Sequence, residues 1–217
     1  LTEPDRKRIG LIADSHGDLA ATAKAIRLLR ERDADLLIHL GDFCDSVRHE
    51  RAAAMIDLLR ENDVRAVKGN NDFLVENMLA DVRRTQDAKG FRVLAYLRKI
   101  PAVRARGDVR FAHSLPSDAF RAFYEPIDRG NTQRAEELFA EADFRILCCG
   151  HSHLPVLFRE AGGRVTREAV PMGKAMVLKA DERYILVAGA VMNGECALYD
   201  EAAGTYERLR TAESQGR

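Results

Sequence analysis

Seven side chains spread along the chain, Asp14, His16, Asp42, Asn70, His113, His151 and His153, are of the types that ligate a divalent cation. Imidazole nitrogens with carboxylate and amide oxygens, and no thiolate, suit Mn, Fe, Ni or Zn better than Ca or Mg. Seven such groups are too many for one ion, and enough for two if one carboxylate is shared. Two ions roughly 3.5–4 Å apart can bind a phosphate, sharpen a bridging hydroxide as nucleophile and neutralise the leaving oxygen. The chemistry these residues point to is binuclear hydrolysis of phosphate esters.

Taken singly, each residue has a plain explanation. An Asp at a strand end caps the next helix, a lone His after a strand is commonly a hydrogen-bonded loop residue, and Gly41-Asp42 is an ordinary turn. Joint placement changes this. Four of the six histidines fall at the ends of expected strands, beside carboxylates and an Asn. The other two read differently: His39 lies inside an apolar run as a satisfied core or supporting histidine, and His49, among Asp45, Arg48, Glu50 and Arg51, as solvated surface.

The elements that must hold these residues follow from apolar periodicity. Strands are expected at 9–13, 36–40 and 64–67, alternating with amphipathic helices at 19–32 and 52–60. Each strand ends in a polar cluster, the pattern of a parallel βαβ sheet with its site at the carboxyl edge. Helices at 73–79 and 91–98 follow, the second stopped by Pro101. Then Gly107-Asp108 marks a hairpin between strands 103–106 and 109–112, which ends in His113. A broken helical stretch leads to a buried strand at 146–149, ending in Gly150-His151-Ser152-His153. The remainder reads as strands at 156–160, 164–170, 176–179, 184–188, 195–200 and 205–209. Parallel units first and hairpins second suggest two sheets packed face to face with helices outside. With no linker or repeat, residues 1–217 read as one domain, fraying at 1–7 and 212–217.

Composition narrows the function classes. The 217 residues are 46% hydrophobic, and Lys plus Arg equals Asp plus Glu at 34 each. That balance offers no overall basic excess for a nucleic-acid backbone, so nucleic acid is not an expected partner. No apolar run approaches the ~20 residues of a membrane span, and Leu1 to Arg8 has no apolar core of a signal peptide. Cys44, Cys148, Cys149 and Cys196 lack zinc-ribbon spacing and read as reduced, buried thiols of a cytoplasmic protein. The apolar C-terminal strands could pair between subunits as a homodimer, or equally finish the second sheet.

Asp14-Ser15-His16, Gly41-Asp42-Phe43-Cys44-Asp45, Gly69-Asn70-Asn71-Asp72, His113 and Gly150-His151-Ser152-His153 resemble, in order, the ligand blocks of the calcineurin-like metallophosphoesterases. Over residues 9–153 the chain is most similar to the small prokaryotic phosphodiesterase-type branch. The resemblance implies a mixed α/β fold, a four-layer α-β-β-α sandwich of two mixed β-sheets flanked by helices. It implies two divalent ions, Mn foremost with Fe, Ni or Zn as alternatives, and a small phosphate-ester substrate. By position it puts Asp14, His16, Asp42 and His153 around one ion, and Asp42, Asn70, His113 and His151 around the other. Asp42 is then the bridge, and the hydroxide held between the ions is the attacking group. Asn70 would also touch a phosphate oxygen, Asp72 would orient a ligand or Asn71, and Asp45 would fix its loop.

Two departures from the family pattern matter. Many members have a His after the ligand Asn that helps protonate the leaving group, and here the position is Asn71. General-acid help, typically worth 10²–10⁴-fold, is then missing. Close relatives also carry Asn-Pro-Gly-Ser-Val-Gly before the last strands, where this chain has Val187-Ala188-Gly189-Ala190-Val191-Met192. The expected function is hydrolysis of phosphodiesters or activated phosphate esters. A phosphomonoesterase with the same metals is one rival. A non-catalytic interaction scaffold is another, weakened by the complete ligand set.

Overall fold

Strand β1 (Arg8–Ile12) sends alternate side chains to two apolar layers, and the molecule is stacked on that alternation. Ile9 and Leu11 face a seam between two sheets, while Ile12 joins the layer beneath the first helices. The computed structural model describes residues 7–81, 87–117 and 119–211. From β1 the chain runs through α1 (Leu19–Glu31), β2 (Leu36–His39), α2 (Ala52–Glu61), β3 (Val64–Ala66), α3 (Asn70–Ala80) and α4 (Ala88–Leu97). It continues through β4 (Val103–Arg106), β5 (Val109–Ala112), α5 (Gln133–Glu141), β6 (Ile146–Cys149), β7 (Val156–Ala161) and β8 (Arg164–Ala169). The last strands are β9 (Met176–Val177), β10 (Arg183–Val187), β11 (Glu195–Asp200) and β12 (Thr205–Arg210).

Among the described residues twelve strands form two six-stranded sheets, ordered β3-β2-β1-β11-β12-β9 and β4-β5-β6-β10-β7-β8. In each sheet three strands are parallel: β1, β2 and β3 in one, β5, β6 and β10 in the other. Ile38, Leu40, Phe111, Ile146, Cys148 and Tyr199 fill the seam between the sheets. A second apolar layer, including Leu29, Leu37, Met55 and Leu97, packs α1, α2 and α4 on the outer face of the first sheet. A third, including Leu138, Phe139, Leu147 and Phe158, packs α5 on the outer face of the other. This is the expected four-layer sandwich. Gly10 lets α1 come down on its sheet, since a Cβ there would lie 2.6 Å from Leu37 Cδ2 and 2.9 Å from Leu29 Cδ1.

The late strands, left open between pairing across subunits and finishing the second sheet, divide between the two sheets. β10 enters the second sheet, whereas β11 and β12 complete the first by pairing beside β1. The crossing is made by residues 188–194, where the Val191 N–H donates to the Ala13 carbonyl at 2.8 Å. Strand periodicity reports burial and not sheet membership, so the crossing has no signature in spacing. Of the ends expected to fray, 1–6 and 212–217 lie outside the described residues, while the Lys7 N–H is bonded to Glu201 Oε2 at 2.8 Å. Among the described residues, no helix is long and apolar enough to cross a membrane.

Candidate metal centre

Both parallel trios aim their carboxyl ends at one edge of the sandwich. β1, β2 and β3 deliver Asp14, Asp42 and Asn70, while β5 and β6 deliver His113, His151 and His153. The loops are laced together by backbone: Asp14 N–H to Gly41 O (3.1 Å), His16 N–H to Asp42 O (2.9 Å) and Gly150 N–H to His113 O (2.9 Å). All seven residues singled out by type and position therefore share one edge. Five of them, Asp14, His16, Asp42, His151 and His153, have positive φ, between 43° and 72°. Left-handed backbone is uncommon outside glycine and is kept where surrounding structure over-determines it.

Two donor groups lie within metal-binding reach: Asp14, His16 and His153, and Asp14, Asp42 and His113. Asp14 belongs to both. Asp42, a member of the second group, also approaches the first, its Oδ2 being 4.0 Å from His16 Nε2 and 3.6 Å from His113 Nε2. Asp14 is fully buried, and its Oδ1, 3.3 Å from His153 Nε2, makes no hydrogen bond of good geometry. An orphaned buried carboxylate oxygen costs free energy unless a cation meets it.

The imidazoles are set for the same partner. The His113 Nδ1 donates to Leu40 O at 2.9 Å, which leaves Nε2 with its lone pair facing the site. The His151 Nε2 donates to Tyr124 O at 3.2 Å, which leaves Nδ1 facing inward. These two nitrogens lie 3.1 Å apart, with Asn70 Oδ1 at 3.0 and 3.2 Å from them. In the neutral tautomers that these two bonds select, the three atoms present their lone pairs to one another. Turning the Asn70 amide over would satisfy the cluster with N–H donors instead; with a cation present, the oxygen-inward orientation is the ligating one. His16 Nε2 and His153 Nε2 confront each other similarly at 3.2 Å. The donor set fits divalent ions of the borderline class.

Charges follow from burial and neighbours. Burial alone would raise the Asp14 carboxyl, but His153, His113 and His16 hold it below its ordinary value. Burial opposes protonation of His113, yet the Asp42 and Asp14 charges lift it above the usual histidine value. Burial and the charge on His113 lower His151, whereas the Asp14 carboxylate 3.3 Å away raises His153.

Three supporting features sharpen the picture. Asp72 accepts the backbone N–H groups of Asp42 (2.8 Å), Cys44 (2.8 Å) and Gly69 (2.9 Å), so it shapes the Asp42 loop through main chain and makes no bond to Asn71. Burial and the Asp42 charge push its carboxyl up to about 7. Asn71 donates from Nδ2 to Asp42 Oδ2 and accepts from Ser46 Oγ, both at 2.8 Å. Asp45 accepts the Val47 N–H at 2.8 Å and the Arg48 Nε at 2.6 Å, which ties down its own loop. His39 lies 2.8 Å from Ser15 Oγ, which accepts from Thr22 at 2.9 Å; burial lowers this histidine to about 3 and keeps it neutral. His49, in contrast, is exposed.

Sequence reasoning missed Ser15, Thr22 and the carbonyls of Leu40 and Tyr124, because backbone acceptors carry no side-chain signal. It also missed two glycines that leave room for the acids. A Cβ on Gly69 would lie 2.2 Å from Asp42 Oδ1, and one on Gly150 would lie 2.7 Å from Asp14 Oδ2.

A family model, the calcineurin-like phosphoesterase superfamily domain, matches residues 8–188. Among solved structures, a metallophosphoesterase from Sphaerobacter thermophilus is similar over 97% of this chain and 90% of its own, with a TM-score of 0.76 and 23% identity. A Thermus thermophilus protein, TT1561, is similar over 95% of this chain and 100% of its own, with a TM-score of 0.57 and 16% identity. A structure described as a novel archaeal phosphodiesterase is similar over 94% and 99%, with a TM-score of 0.52 and 16% identity. At these identities the likeness is one of fold. No curated protein is similar enough to count as a match.

Proposed function

Because the chain belongs to the calcineurin-like phosphoesterase superfamily, whose members are metal-dependent hydrolases of phosphate esters, we propose that it cleaves phosphodiesters or activated phosphate esters at a two-ion centre. The observation that carries this reading is the division of the donors. Asp14, His16 and His153 gather as one donor group and Asp14, Asp42 and His113 as another, with Asn70 and His151 beside His113 and Asp42 Oδ2 4.0 Å from His16 Nε2. Asp14, His16, Asp42 and His153 would hold one ion, and Asp42, Asn70, His113 and His151 the second. The ions, Mn foremost, supply an activated water and neutralise charge on the phosphate. Asp72 keeps the Asp42 loop in register by holding its backbone. Four buried, unpaired cysteines support a cytoplasmic setting.

Asn71 bears on the leaving group. Its amide is already bonded to Asp42 and Ser46, and an amide has no titratable proton to give near neutral pH. Rates should therefore fall steeply as the leaving group becomes more basic. Metal-stripped protein titrated with Mn should take up two equivalents, and Asp42→Ala fewer, alongside diester and monoester substrates graded by leaving-group pKa. One equivalent in the wild type would sink the two-ion reading. A flat leaving-group dependence would overturn the role given to Asn71, and preference for monoesters would overturn the substrate assignment.

A further inference from the structure

The segment after His113 does more than connect strands. Phe120 and Tyr124 are 60% and 36% exposed, although each is large and apolar. Phe120 sits edge-on to Phe73 with ring centroids 5.4 Å apart, and Tyr124 lies 5.1 Å from Phe120. Phe73 in turn stacks on Phe123 at 5.5 Å and 14°. The four rings form one aromatic cluster, exposed at Phe120 and Tyr124, half-buried at Phe73 and buried at Phe123.

Its position is fixed against the candidate metal centre. Phe73 is one turn along α3 from Asn70. The Tyr124 carbonyl accepts the outer proton of His151 at 3.2 Å. Ser114, next to His113, donates to the Glu125 carbonyl, and Arg121 and Arg134 grip the Glu125 carboxylate at 2.6 and 3.2 Å. Of nine large exposed apolar side chains among the described residues, Val47, Leu74, Phe120, Tyr124, Leu154 and Met192 lie within a few residues of segments that carry the candidate ligands. Exposed aromatic rings in contact beside a charged centre suit a ligand with a phosphate at one end and a flat apolar group at the other.

We propose that Phe120, backed by Phe73, Phe123 and Tyr124, is a stacking shelf that selects phosphate esters carrying an aromatic group, either an aryl ring or a nucleobase. The proposal rests on the phosphoesterase reading above and adds to it the substrate class. Aryl rings and nucleobases share the same π-face chemistry, and stacking on an exposed protein ring tolerates either. The shelf reads the organic part of the ester, while the Asp and His cluster reads its phosphate.

Phosphonates test this without the confounding reactivity of leaving groups. Binding of methylphosphonate, cyclohexylmethylphosphonate, benzylphosphonate and a nucleoside 5′-phosphonate to the Mn-loaded protein would be measured by titration calorimetry. Benzylphosphonate should bind about tenfold more tightly than methylphosphonate, with the cyclohexylmethyl compound weaker than the benzyl. The benzyl-to-methyl ratio should fall towards one in Phe120→Ala and persist in Phe120→Tyr, which keeps a ring. The nucleoside compound, set against the benzyl one, tells which aromatic group the shelf prefers. Equal binding of methyl and benzyl compounds, a ratio unchanged in Phe120→Ala, or cyclohexylmethyl matching benzyl would each overturn the shelf alone. Failure of every phosphonate to bind would overturn the phosphate reading and the shelf with it.

Discussion

His113 and His151 are held by opposite nitrogens, one donating from Nδ1 to Leu40 and the other from Nε2 to Tyr124. At this scale the candidate ligands were legible, because Asp, Asn and His at strand ends are conspicuous by type. Their supports were not, since a carbonyl such as that of Leu40 belongs to any residue. Gly69 is a case where absence of a side chain does the positioning. Its φ of −102° suits any residue, so the effect of Gly69→Ala is steric, the new methyl meeting Asp42 Oδ1 at 2.2 Å. Displacing a catalytic carboxylate by even 1 Å can cost about 10²-fold in rate. Gly69→Ala should lower Mn-dependent kcat/KM by about that factor while the circular dichroism stays native. A variant as active as the wild type would show that the Asp42 carboxylate need not stay where it is.

Most elements could be drawn from periodicity to within a residue or two, and the exceptions are instructive. The third helix begins at Asn70 and not at residue 73, because the Gly69 N–H is capped by Asp72 and the first turn carries no apolar residue for a periodic reading to find. The stretch expected as a strand over 176–179 pairs only at Met176–Val177, against β12. The loop between the aromatic shelf and α5 is fastened differently, by a bidentate pair in which Arg167 Nε and Nη2 each donate to Asp128 at 2.8 Å. That bond holds the Asp128 carboxyl below its ordinary value despite partial burial. A depressed acid stabilises the fold above its unfolded pKa of about 4 and loses that contribution as pH falls through the lower folded value. Asp128→Asn should therefore cost about 1 kcal/mol near neutrality, discounted for the exposed Arg167. It should also flatten the loss of stability below about pH 4. Urea midpoints at a series of pH values check both; parallel acid limbs for variant and wild type would contradict the assignment.

Across the whole molecule, layering was legible and sheet membership was not. Alternating burial reveals which faces are apolar, but nothing local records that the chain crosses between sheets after β10. The cysteines sample that layering. Cys44 and Cys196 lie under the helices of the first sheet, Cys148 in the seam between the sheets, and adjacent Cys149 on the opposite face under α5. Burial pushes all four thiols up, so none should react with a thiol reagent in the native state. If residues 1–217 form one cooperative domain, all four should become reactive with the same urea dependence, followed by mass spectrometry. Earlier labelling of Cys149 would mean that the outer layer opens on its own.

The left-handed backbone at Asp14, His16, Asp42, His151 and His153 has a consequence for how any such protein is disarmed. An alanine replacement deletes the functional group but keeps a Cβ in a conformation that costs roughly 1 kcal/mol or more. A glycine replacement deletes the group and releases the conformation as well. Alanine and glycine replacements at Asp42 are thus two different experiments, and the glycine variant should outlast the alanine one on heating, a difference that melting curves check. Glycine at any of these five positions would exchange a candidate ligand for a relaxed backbone.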